Sequence, residues 1–236
     1  QLRANGYSLT GWEFEGWSTT ESGDFEYEDN EAVLNLSNID EDTIILYAQW
    51  TQIEEYYTQG LSFIEVEDEG YAVQLGEATG HEIIIPSIYE GKEVVAIANY
   101  GFANYTQLTS IIIPQGIKTI GSFAFNNCDN LAAVIYEENS QLTNIGSSAF
   151  SGCHGLKEIY IPEGIKSIGG SAFYGCENLD IIDLPASLIS IGSSAFKNCY
   201  NLTRINIYKE ISPTLGNSAF DSTMVQTSTL NPSASR

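Results

Sequence analysis

The chain has 236 residues, with 31 Asp and Glu against 9 Lys and Arg, for a formal net charge of −22. Such a surface repels nucleic acid and anionic lipid, because phosphate contacts need Lys and Arg to displace counterions; its ordinary role is solubility. No apolar run approaches the ~20 residues that span a bilayer, no signal peptide is visible, and Gln1 reads as the start of an excised fragment.

Residues 1–50 carry their own pattern, GYSLTGWEFEGWST followed by NLSNIDEDTIILYAQW. Tyr7, Trp12, Trp17, Tyr47 and Trp50 are large amphipathic rings beside glycines, and residues 43–50 read as a strand from their β-branched and aromatic content. Residues 6–50 resemble the Listeria–Bacteroides repeat, whose signature is a GY…GW stretch and a closing strand like LYAQW. The resemblance implies a small β-grasp-like module of a bacterial surface protein. Gly16-Trp17 is a second Gly-Trp, five residues after the first, and the family's opening strand falls before residue 1, so a truncated module is expected. The ring cluster reads as core before it reads as a carbohydrate platform.

Residues 51–60 form a polar connector. In residues 61–79, the apolar runs 61–66 and 71–75 flank Glu67-Asp68-Glu69-Gly70, which reads as a β-hairpin capping the N-terminal end of a repeat array.

From residue 80 to 223 one sentence repeats about six times. Residues 157–179 read KEIYIPEGIKSIGGSAFYGCENL, and residues 180–202 read DIIDLPASLISIGSSAFKNCYNL. A fixed period means one supersecondary unit stacked on itself, a mainly β solenoid. In each copy an I-x-I-P element is a short strand with alternate side chains inward, ended by a residue unable to donate to a ladder. Phe102, Phe125, Phe150, Phe173, Phe196 and Phe220 fall at one repeat position and are expected to file through the core. Gly121, Gly146, Gly169, Gly192 and Gly216 mark a turn with positive φ or close packing. The copy that starts at Val134 has two extra residues in its turn. Residues 224–236 lose the pattern; their Ser/Thr content favours disorder or a linker, with a ragged C-terminal cap as the alternative.

Cys128, Cys153, Cys176 and Cys199 are locked to the same period. Stacked equivalents lie about 4.8 Å apart with parallel Cβ vectors, whereas a disulfide needs Cβ atoms near ~3.8 Å. Free buried thiols are therefore expected. No CxxC or CxH pair exists and His81 and His154 are far apart in the stack, so neither metal nor cofactor is expected. Ser148, Ser171, Ser194 and Ser218 recur at one position with no His in register, which is a repeat feature and not a nucleophile.

These spaced features resemble the BspA-like leucine-rich repeat family, whose unit approximates L-x-x-I-x-I-P-x-x-[IVL]-x-x-I-G-x-x-A-F-x-x-C-x-x-L. The resemblance implies an extracellular or cell-surface repeat domain of bacterial origin, used for adhesion or protein recognition; with no nucleophile–base pair or phosphate-binding Gly loop in the sequence, an enzyme is not expected. Function then rests on the outward centre of each strand, where packing leaves the residue free: Ile84, Ile112, Ile135, Tyr160, Asp183 and Asn206. Ile84, Ile112, Ile135 and Tyr160 are expected to form an apolar stripe with Asp183 and Arg204 at its polar rim. The stripe is expected to dock a host or matrix protein, or another surface protein; the alternatives are that it packs on a neighbouring module of the same protein or simply reflects β-propensity. A monomer is expected, and a plain structural spacer is the competing role.

Overall fold

The computed structural model describes residues 12–20, 26, 46–52, 57–66, 69–207 and 213–225. These divide into two compact units, residues 1–57 and 58–236. Among the described residues there is no helix.

In the first unit, β1 (Trp12–Ser18) pairs antiparallel with β2 (Tyr47–Gln52), with a bulge between Phe14 and Gly16. Trp17 sits edge-on to Phe14 with ring centroids 5.4 Å apart. The closing strand runs two residues further than its apolar content suggests, because Thr51 and Gln52 still pair with Glu13 and Trp12. Tyr7, residues 43–45 and the turn at Glu67-Asp68 lie outside the described residues, as do 226–236 of the tail.

The second unit opens with β3 (Ser62–Val66) and β4 (Gly70–Gln74), an antiparallel hairpin. The strands β5 (Glu82–Ile84), β6 (Ile88–Tyr89) and β7 (Lys92–Ile97) belong to the first coil. The β6–β7 hairpin lengthens this coil, turning at Glu90 and Gly91, both with positive φ. Two strands per coil then follow: β8 (Ser110–Ile113) and β9 (Thr119–Ile120), β10 (Ala133–Tyr136) and β11 (Asn144–Ile145), β12 (Glu158–Tyr160) and β13 (Ser167–Ile168). The last are β14 (Ile181–Leu184) and β15 (Ser190–Ile191), β16 (Arg204–Ile207) and β17 (Thr214–Leu215).

Successive coils meet along up to three backbone ladders. The second strands form one unbroken sheet, β3-β4-β7-β9-β11-β13-β15-β17, parallel throughout apart from the opening hairpin. The turns form another, in which each core phenylalanine N–H donates to the alanine carbonyl one coil later, at 2.7 Å from Phe102 to Phe196. The I-x-I-P strands form the third, and it is interrupted. The sequence leads one to expect a single stack of these strands; instead β5-β8-β10 and β12-β14-β16 are separate parallel sheets. The gap coincides with the two extra residues after β10. There Tyr136 fills the inward position held by Ile113, Ile161 and Leu184 in other coils, and Glu137 replaces the proline.

Between the ladders runs a dry core. Phe102, Phe125, Phe150, Phe173 and Phe196 are fully buried, and successive rings stack nearly parallel at 5.0–5.4 Å, ending on the partly buried Phe220. The four cysteines are buried and free. Each thiol donates to the carbonyl of a phenylalanine in an earlier coil, Cys128 to Phe102, Cys153 to Phe125, Cys176 to Phe150 and Cys199 to Phe173, all at 3.1 Å. Burial raises every one of these thiols, Cys128 and Cys199 to about 12, so they remain protonated.

The glycine that follows each second strand from β9 onward is required by close approach and not by its backbone angle. A Cβ on Gly192 would lie 2.3 Å from the Gly170 nitrogen of the coil below, and one on Gly216 2.3 Å from that of Ser193. Positive φ falls two residues later, on Phe123, Ser148, Ser171, Ser194 and Ser218, and on Tyr100 in the first coil, where Ala98 stands at the glycine position. The repeated serine is thus a left-handed turn residue.

Candidate functional site

The strand-centre column occupies the outward face of the two short sheets. Ile84, Ile112 and Ile135 are register partners on β5, β8 and β10. Tyr160, Asp183 and Asn206 are register partners on β12, β14 and β16. Their inward neighbours Ile83, Ile111, Ile159 and Ile182 are buried, which leaves this column facing out by the two-residue pleat.

Exposure is uneven along it. Ile84 and Ile112 are half-buried, whereas Ile135 is 49% and Tyr160 46% exposed. The Ile84 backbone is engaged on its outer edge by Thr58, whose nitrogen donates to the Ile84 carbonyl at 3.0 Å and whose Oγ1 accepts from the Ile84 nitrogen at 2.8 Å. The most exposed pair therefore flanks the gap between the sheets. Across that gap Tyr160 packs edge-on to Tyr136 with ring centroids 6.5 Å apart. The Tyr136 hydroxyl is buried without a hydrogen-bond partner among the described residues, which costs about 1–3 kcal/mol; burial also raises its pKa.

Asp183 and Arg204 are not brought together. Asp183 accepts from Asn206 Nδ2 at 2.7 Å, and Arg204 stands against Ile181 in register, exposed. The polar end of the column is thus an Asp–Asn pair, with Arg204 one pleat away. Phe102 to Phe220 and the four cysteines lie inside the stack, away from this face.

Strand patterning alone passes over what stands just before those strands. Lys157, Glu158, Asn178, Asp180, Ile181, Asn201, Thr203 and Met224 line a cavity of about 520 Å³ at the entry to β12, β14 and β16. The available signal was the period itself: Asn178 and Asn201, like Asp180 and Thr203, hold equivalent positions in adjacent coils.

The family described as BspA type leucine rich repeat region matches residues 81–141 and 137–235, in six copies. The chain belongs to the BspA-type leucine-rich-repeat family. Among solved structures, this BspA-type chain is similar to the T. pallidum leucine rich repeat protein TpLRR, at 22% identity and a TM-score of 0.59, covering 72% of this chain and 90% of that one. It is also similar to the pneumococcal vaccine antigen PcpA, at 27% identity and a TM-score of 0.57, covering 72% of this chain and 48% of that one. The chain thus spans about half the length of the PcpA structure. No curated protein matches it significantly.

Proposed function

We propose that this BspA-type solenoid is a non-catalytic recognition module of a bacterial surface or secreted protein, binding a host, matrix or other surface protein through its interrupted sheet face. The observation that carries this reading is the exposed pair Ile135 and Tyr160 at the centre of that face. Large apolar side chains held outward on rigid strands are the material of an interface core, and polar neighbours such as Asp183 and Arg204 suit its rim. Similarity to a protein described as a vaccine antigen supports a surface location.

Residues 6–50 are read as a small β-grasp-like module of the Listeria–Bacteroides kind, supported by the β1–β2 pairing of Gly16-Trp17 with residues 48–49. The unbroken sheet and ring file also favour a second reading, a stiff spacer in a longer surface protein. Pull-down of extracellular matrix proteins by the wild type and by Ile112→Lys/Ile135→Lys separates the two. Recognition requires capture that the variant loses while its thermal unfolding is unchanged. Equal capture by both proteins refutes the stripe, and no capture by the wild type favours the spacer.

A further inference from the structure

The cavity at the entry to β12, β14 and β16 holds more hydrogen-bond acceptors than donors. Each of its amides spends one of its two N–H groups within the stack: Asn178 Nδ2 donates to the His154 carbonyl at 2.7 Å, and Asn201 Nδ2 donates to Asn178 Oδ1 at 3.4 Å. Thr203 Oγ1 donates to Asp180 Oδ1 at 2.8 Å, which fixes that carboxylate against the wall. The Thr203 and Asp180 nitrogens are used as well, on the carbonyls of Asp180 and Lys157. Set against the second N–H of each amide and the Lys157 ammonium, the lining holds an excess of acceptors: the second Asp180 oxygen, the Glu158 carboxylate and Asn201 Oδ1. Neither Glu158 nor Asp180 has an ion-pair partner among the described residues. Lys157 is the single cation in the lining, against two carboxylates.

An excess of acceptors with net negative charge favours a cationic group that only donates, and the two side chains of that kind are ammonium and guanidinium. Ile181 and the exposed Met224 supply apolar surface on the same wall, suited to the methylene stem of a long cationic side chain. A planar guanidinium, with five donors in a fork, serves separated carboxylate and amide oxygens better than the three donors of a compact ammonium. The net charge of −22 works in the same direction, drawing a basic segment toward the chain over distances set by screening.

We infer that this cavity is the anchor site for an arginine side chain of the protein partner. The inference rests on the recognition reading above and names its partner's chemistry: a basic segment whose arginine enters beside Asp180 while its backbone crosses the outward faces of β12 and β14. Glu158 and Ile181, which line the cavity, are the first outward residues of those two strands, so cavity and face are continuous.

The test is titration of the whole 236-residue chain with the capped peptide Gly-Arg-Gly, followed through the side-chain amide resonances of Asn178 and Asn201. Saturable shifts are expected, smaller with Gly-Lys-Gly, and none with the neutral isostere Gly-citrulline-Gly or with Gly-Glu-Gly. Asp180→Asn, nearly isosteric and able to keep the Thr203 contact, should weaken the arginine peptide about tenfold, in line with the loss of one charged hydrogen bond. Thr203→Val should weaken it less, by freeing the carboxylate. Equal shifts with the citrulline peptide, no saturable shift with the arginine peptide, or unchanged affinity in Asp180→Asn each overturn the proposal. Ile112→Lys/Ile135→Lys should bind the peptide as wild type does. The stripe and the cavity therefore fail separately: a filled cavity with undiminished partner capture by the stripe variant defeats only the stripe.

Discussion

Phe173→Ala removes a ring that touches no solvent and lies between two others, 5.2 Å from Phe150 and 5.1 Å from Phe196, both within 4° of parallel. Truncating a buried phenylalanine costs about 3–5 kcal/mol through lost transfer energy and the cavity left behind. Two ring pairs are broken here, each worth about 0.5–1.5 kcal/mol beyond area. The neighbouring coils cannot collapse into the space, because the ladders on either side of the file hold their spacing. The loss should therefore reach the upper end, about 5 kcal/mol. Phe220→Ala is the control: it is partly exposed and stacks on Phe196 alone among the described residues, so about 1–3 kcal/mol is expected. Urea unfolding followed by circular dichroism measures both. Since a solenoid unit rests only on its neighbours, Phe173→Ala should also lower the m-value as the coils on either side uncouple. A loss below about 1 kcal/mol in Phe173→Ala, or equal losses in the two variants, refutes a continuous interior file.

Other expected outcomes derive from the same stack. Gly192→Ala drives a Cβ to 2.3 Å from the Gly170 nitrogen and should cost about 3 kcal/mol, the upper end for overpacking, whereas Gly175→Asn should be near neutral in the same unfolding assay. Gly175 is a left-handed residue with open space around it, and Asn127 and Asn198 hold that conformation at equivalent positions. Stability should fall from about pH 9 toward pH 12. Over that window unfolded thiols lose protons that the buried ones keep, so each of the four contributes up to about 1.4 kcal/mol per pH unit. Cys153→Ala should flatten this decline in alkaline denaturant titrations; an unchanged slope refutes the assignment. A thiol reagent at pH 8 should label the native chain at the rate of coil opening and the unfolded chain at once.

The period alone determined the stack, because residues that recur in step must share one environment. Ile159 and Ile161 had to face inward, and the Phe and Cys positions had to form files, since no other arrangement gives every coil the same neighbours. The family resemblance was legible for the same reason. What the period leaves open is how one coil sits on the next. The turn residues Gly121 and Ser148 illustrate this: from sequence either could carry positive φ, and only the inter-coil distance assigns close approach to the glycine and the left-handed angle to the serine. The extra residues after Tyr136 are plain in the sequence, yet that they interrupt a single ladder and spare the other two depends on where the ring of Tyr136 and the turn beyond it come to rest. The cavity of Asp180, Asn201 and Met224 is likewise assembled from successive coils. Repetition dictates which residues are equivalent; the offset between coils decides which non-equivalent residues meet, and both the gap beside Tyr160 and the acceptor-rich cavity arise from that offset.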